Sequence, residues 1–134
     1  MKQKTSDDVA DAALANQIVI EAIEDENSTF ENVSTSLAEI RKLEGVLGYI
    51  LRDSTSAIID LSESDKITQN AILSSQIFQS SQEIISQFSL GRMESVLVEG
   101  KNTKVLCMNV GQNFVSVFME KNADHSRVIE RILM

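Results

Sequence analysis

The chain has 134 residues, a net charge of −8, 43% hydrophobic and 24% charged residues, which is room for one domain with a real core and too little for two. Trp is absent and aromatics are 4%, so the core has to be packed from aliphatic side chains. No apolar run approaches the roughly 20 residues of a membrane span, the N-terminus lacks the apolar middle of a signal peptide, and no basic cluster is present to face a phosphate backbone; a cytoplasmic protein with no membrane span and no nucleic-acid partner is expected.

Charge divides the chain unevenly. Residues 1–31 hold two lysines against eight acids, and residues 32–134 hold ten basic residues against twelve acids. Residues 1–31 therefore read as an acidic N-terminal extension to a near-neutral domain at 32–134. Within the extension, residues 6–24 carry a helical pattern. Ser6 suits an N-cap, Asp7 and Asp8 suit the positive end of the helix dipole, and Val9, Ala12, Ala13, Val19, Ile20 and Ile23 share one side. Such a helix is marginal alone and needs a surface to lie on.

From Asn32 the pattern predicts a short helix capped by Ser34 or Thr35, carrying Leu37, Ile40 and Leu43 and stopped by Gly45. Val46 to Arg52 reads as a strand, Asp53-Ser54-Thr55 as a turn, and Ser56 to Leu61 as the second strand of a hairpin. Residues 62–66 read as a polar loop.

A helix from about Thr68 to Phe88 follows. Leu73, Ile77, Ile84 and Phe88 form one apolar stripe, and Ala71, Phe78 and Ile85 a second, with Ser74 and Ser81 between them. The arc is about 160° wide, against roughly 100° for a helix with one buried face. Such a helix is expected to cover a sheet and touch something else as well. Ile72 points toward the polar side. Leu90-Gly91 is expected to break the helix. Three strands are then predicted, Met93 to Glu99, Thr103 to Val110 and Phe114 to Glu120, joined by short glycine-bearing turns. A last helix begins at Asn122-Ala123-Asp124. The order gives an α/β (α+β) domain: a five-stranded antiparallel sheet with a long central helix and flanking helices, preceded by the helical extension.

Chemistry is hard to find. No Gly-x-x-x-x-Gly-Lys phosphate loop occurs. Gly45-x-x-Gly48 precedes a strand and is too short for a dinucleotide fingerprint. No clustered His, Cys or carboxylates suggest a metal. The single cysteine, Cys107, lies in an apolar run and reads as a buried hydrophobe. The single histidine, His125, reads as a solvated or capping residue. The expectation is a protein without enzymatic activity, cofactor or metal.

Leu43-Glu44-Gly45-Val46-Leu47-Gly48 resembles the glycine-valine-x-glycine lead into the first strand of Roadblock (dynein light chain) domains. Phe88-Ser89-Leu90-Gly91-Arg92-Met93-Glu94 is similar to the leucine-glycine segment after their central helix. Gly100, Gly111 and a closing helix with Arg127 fit the same template over about residues 32–134. Two departures stand out: Asp53 is followed by Ser54 where glycine is common, and Asn122-Ala123-Asp124-His125 lacks a glycine. The resemblance implies a profilin-like fold and a homodimer in which the central helix and the following strand meet their counterparts. It also implies binding to a small Ras-like GTPase, as in single-domain prokaryotic members of the Mgl type. The self-association residues expected on this basis are Ser74, Phe78, Ser81 and Ile85 on the helix, with Met93, Ser95 and Leu97 on the strand. The alternatives are a light-chain or scaffold subunit without effect on GTP turnover, and a small-molecule sensor, which wants a polar group in an apolar pocket.

Overall fold

A hydrophobic residue at every third or fourth position starts the domain. The computed structural model describes residues 29–134, and a first helix, α1, occupies 29–40. Val33, Leu37 and Ile40 are buried along one side of it. Ser34 and Thr35, expected as caps, sit inside the helix. The Thr35 hydroxyl donates to the Glu31 carbonyl, 3.0 Å away. The spacing Phe30-Val33-Leu37 carries the apolar period one turn further back, so the helix begins before Asn32. The helix expected over 6–24 lies outside the described residues.

The sheet follows: β1 (Val46–Arg52), β2 (Ala57–Leu61), β3 (Ser95–Glu99), β4 (Thr103–Val110) and β5 (Asn113–Glu120). Its order is β2-β1-β5-β4-β3, every pair antiparallel. The long helix α2 (Ile67–Gln87) connects the β1–β2 hairpin to β3, and α3 (His125–Leu133) closes the chain. A 3₁₀ turn at Ser64–Lys66 occupies the segment expected to be a loop.

The two faces of the sheet are packed differently. Tyr49, Leu51, Leu106, Met108, Val115 and Val117 point to one side and are enclosed with Val33, Leu37 and Ile40 of α1 and Val128 and Ile132 of α3. Ile50, Val105, Cys107 and Phe118 point to the other, under Ile77 and Phe78 of α2. Alternation along each strand sorts these side chains. Cys107 is fully buried, and that burial pushes its thiol pKa up, as a structural cysteine requires.

Three local devices fix the layout. Arg41, just past α1, donates to the Val46 carbonyl at 3.1 Å and to the Ser62 hydroxyl at 2.8 Å, and pairs with Asp60 at 3.4 Å. It thereby ties the helix to β1 and β2. At Gly48 a Cβ would stand 2.2 Å from the Asp60 carbonyl, so the β1–β2 ladder closes only over glycine. In the hairpin turn, Asp53 Oδ1 accepts from the Thr55 and Ser56 amides at 2.8 and 2.7 Å. Those two bonds hold the Asp53 carboxyl below its usual range. They also supply the turn geometry without the glycine common at this point.

Candidate interaction surface

The end of α2 is set by a serine. Ser89 takes φ +54°, the Leu90 amide donates to the Ile85 carbonyl at 2.9 Å, and the Ser89 amide donates to Ser86 at 3.3 Å. This is the Schellman arrangement, with Ser89 in the left-handed position that glycine favours. The expected break at Leu90-Gly91 therefore falls one to two residues early. β3 likewise starts at Ser95, two residues later than expected. Met93 is tucked beneath the helix, 1% exposed, with its carbonyl accepting from Asn109 Nδ2 at 2.9 Å.

Along α2 the inward side is Ser74, Ile77 and Phe78, with Ala71, Ser81 and Ile85 half-buried. Phe78 meets Phe114 of β5 edge-to-face, ring centroids 5.1 Å apart. The Arg52 guanidinium lies 4.4 Å from the Phe114 ring centre and 5.8 Å from that of Phe78. Ser74 shares a hydrogen bond with Ser116 of β5, whose hydroxyl also lies 3.3 Å from Cys107 Sγ. This polar contact sits in an otherwise apolar layer and pins the helix over the middle of the sheet.

The outward flank is apolar too. Ile84 is 54% and Phe88 69% exposed, and Leu73 is partly open. Leu73 borders a cleft of about 360 Å³ with Thr103, Lys104 and Val105 of β4, Leu47 and Phe118. Val105 pairs across the ladder with Val98 of β3, which is 42% exposed. β3 is the last strand of the sheet and has β4 as its only neighbour among the described residues. The subunit thus leaves open both an apolar flank of α2 and the outer edge of β3, two features that invite another chain. Apart from Glu83, α2 carries no charge.

The residues expected for self-association do not form one surface. Ser74, Phe78 and Met93 are enclosed in the subunit, because the stripe holding Phe78 is the one that meets Phe114 and Arg52. Ser81 and Ile85 are half-buried on the same inward side. Ser95 and Leu97 pair with Met108 and Leu106, which belong to the layer under α1 and α3. Val96 and Val98 are the β3 residues on the α2 side. Within the subunit, Ile77 and Phe78, one from each stripe, are buried, Leu73, Ile84 and Phe88 are open, and Val98 is the exposed β3 residue on the α2 face. Leu73, Ile84 and Phe88 had a signal, the other stripe. Val98 had only its place in an alternating strand.

Among the described residues no group of three or more His, Cys, Asp or Glu is placed to hold a metal. His125 Nδ1 lies 2.9 Å from the ammonium of Lys104, itself 5% exposed. Asp124 caps α3 through the Arg127 amide at 3.2 Å. Among the same residues no helix is long and apolar enough to cross a membrane.

The sequence profile of the Roadblock/LC7 domain matches residues 33–117. The fold is similar to that of a Roadblock/LC7 domain from Streptomyces avermitilis, with a TM-score of 0.61 at 15% identity, covering 75% of this chain and 85% of that one. Myxococcus xanthus MglB gives 0.62 at 14% identity over 75% and 85%. The gliding protein MglB of Thermus thermophilus gives 0.60 at 14% over 77% and 82%. At these identities the likeness is one of fold. No curated protein sequence matches the chain significantly. Domain architecture, strand order and profile agree: the chain belongs to the Roadblock/LC7 domain family.

Proposed function

We propose that the protein is a non-catalytic, homodimeric adaptor that binds a small Ras-like GTPase and modulates or scaffolds it. The observation that carries the reading is the exposed apolar flank of α2, together with the free edge of β3, in a domain of the Roadblock/LC7 family. In an isologous interface each patch meets its own copy, so charges near the axis repel. A helix with one charge in twenty-one residues suits that arrangement. Leu73, Ile84, Phe88 and Val98 supply the contacts, in place of Ser74, Phe78 and Met93. A two-fold pairing of this kind buries on the order of 1,600 Å². The GTPase assignment draws on the family and on the likeness to MglB. The domain proper is taken as 32–134.

The test uses purified Ras-like GTPases encoded by the source organism, each loaded with GDP or a non-hydrolysable GTP analogue. Binding of the full chain to one of them, with a nucleotide-dependent Kd, is the expected result. Absence of binding in both nucleotide states across the set overturns the GTPase assignment. Binding with no change in GTP turnover selects scaffolding over modulation.

A further inference from the structure

The β1–β2 and β4–β5 turns meet at one end of the sheet, and a cleft of about 360 Å³ opens between them. Its walls come from Arg52, Asp53 and Ser54 on one side and from Gln112, Asn113 and Phe114 on the other. None of Leu73, Ile84, Phe88 and Val98 lines it, so the cleft is separate from the open flank of α2. Two of its groups are unspent. Asn113 is only 2% exposed, yet its carboxamide makes no hydrogen bond among the described residues. A buried amide in that condition is rare, because losing water without gaining a partner costs free energy. Its polar atoms are not sealed off, and the cleft is the opening that Asn113 borders. Arg52 is the other. Its guanidinium lies 4.4 Å from the ring centre of Phe114, the residue opposite it in the β1–β5 ladder. Stacking holds the side chain in place and uses none of its five N–H donors. Among the described residues no carboxylate pairs with that guanidinium and no acceptor takes a hydrogen bond from it. Asp53 is engaged within its own turn, where Oδ1 accepts from the Thr55 and Ser56 amides and from the Thr55 hydroxyl.

We propose that this cleft binds a carboxylate, with the Arg52 fork gripping its two oxygens and the Asn113 amide adding a further donor. The chemistry selects that anion. A planar carboxylate matches the guanidinium fork, two parallel N–H donors to two oxygens. One cation balances one negative charge. A phosphate dianion would keep an excess charge beside the Asp53 carboxylate, which lines the same cleft. Size agrees as well. Ligand pockets run from roughly 300 to 1,000 Å³, so this one takes a small acid or one acidic residue and little more. Two sources carry the group: a free small acid, or the side chain of an acidic residue on a partner protein.

The experiment is an NMR titration of the ¹⁵N-labelled full chain at neutral pH, reading the Arg52 Nε–H and Asn113 side-chain amide signals. Acetate stands for the free acid, and glutamate capped as N-acetyl and N-methylamide stands for a protein side chain. Inorganic phosphate at matched ionic strength is the third probe. Both signals are expected to shift and saturate with millimolar carboxylate, and the response to phosphate to be weaker by about tenfold or more. Acetate binding as tightly as the capped residue supports the site and assigns it to free acids. Tighter binding of the capped residue supports it and assigns it to an acidic side chain. Arg52→Lys keeps the charge and loses the fork, and its carboxylate affinity should fall about tenfold. Asn113→Ala removes the amide from the other strand and should weaken binding in a chain that stays folded. No saturable shift with either carboxylate overturns the proposal, as does an equal response to phosphate in the wild-type chain. Unchanged affinity in both variants overturns it too.

Discussion

The two faces of the sheet are covered by unequal means. α1 and α3 lie together on one face, where Leu37, Leu51, Val115, Val117 and Met119 have no measurable exposure. Among the described residues α2 lies alone on the other, and there Val98 of β3 and Ile59 of β2 are about two-fifths exposed. Geometry explains the difference. Five strands at about 4.8 Å spacing span about 19 Å between the outer two, while one helix covers about 10–12 Å. A single helix over a five-stranded sheet leaves a shelf on each side. Two helices close the face; one makes it an open surface.

The largest test of that contrast sets one leucine against one isoleucine. Leu106→Ala, in the closed layer, is expected to lower unfolding stability by about 2–5 kcal/mol. Ile84→Ala, on the open flank, stays within about 0.5 kcal/mol at concentrations where the chain is monomeric. Urea denaturation of both variants reads the difference, and equal costs would erase the distinction between the faces. Next comes the polar pin under α2. Ser74→Ala removes a partner of the buried Ser116 hydroxyl, with an expected loss of about 1–2 kcal/mol and faster amide exchange in the middle of α2. An opposite sign is expected at the helix end. Ser89→Gly relieves a left-handed serine and should stabilise the domain by about 0.5–1 kcal/mol, read as a rise in the urea midpoint. The smallest effect is acid dependence at the β1–β2 turn. The folded-state pKa of Asp53 lies below the ordinary 3.8, so its contribution is complete above that value and is lost as pH falls through the folded pKa. Asp53→Ala should lower the urea midpoint near neutrality and flatten its fall on acidification below about pH 4.

Much of this architecture is legible in the residues. β1 and β4 fall where alternation and turn residues put them, because glycine and polar clusters mark both ends of each strand. Boundaries drift where tertiary contacts overrule local signals. α1 starts early because Phe30 and Val33 pack on the closed face. β3 starts late because Met93 fills the space beneath α2. The phase of α2 is not legible. Both of its stripes are apolar, and small Ser74 looks suited to a close helix crossing until its bond to Ser116 places it inward. A helical wheel measures how wide an apolar arc is. Which part of the arc faces home depends on the aromatic of β5 that waits for it, Phe114.

Sedimentation equilibrium of the full-length wild type and of Ile84→Asp addresses the central claim most directly. A wild type that reaches a dimer as concentration rises, beside a folded Ile84→Asp chain whose dimer Kd is weakened about a hundredfold or more, is the expected pair of results. A variant that dimerises as well as wild type, or a wild type that stays monomeric at millimolar concentration, contradicts the claim that the open side of α2 is the place of self-association.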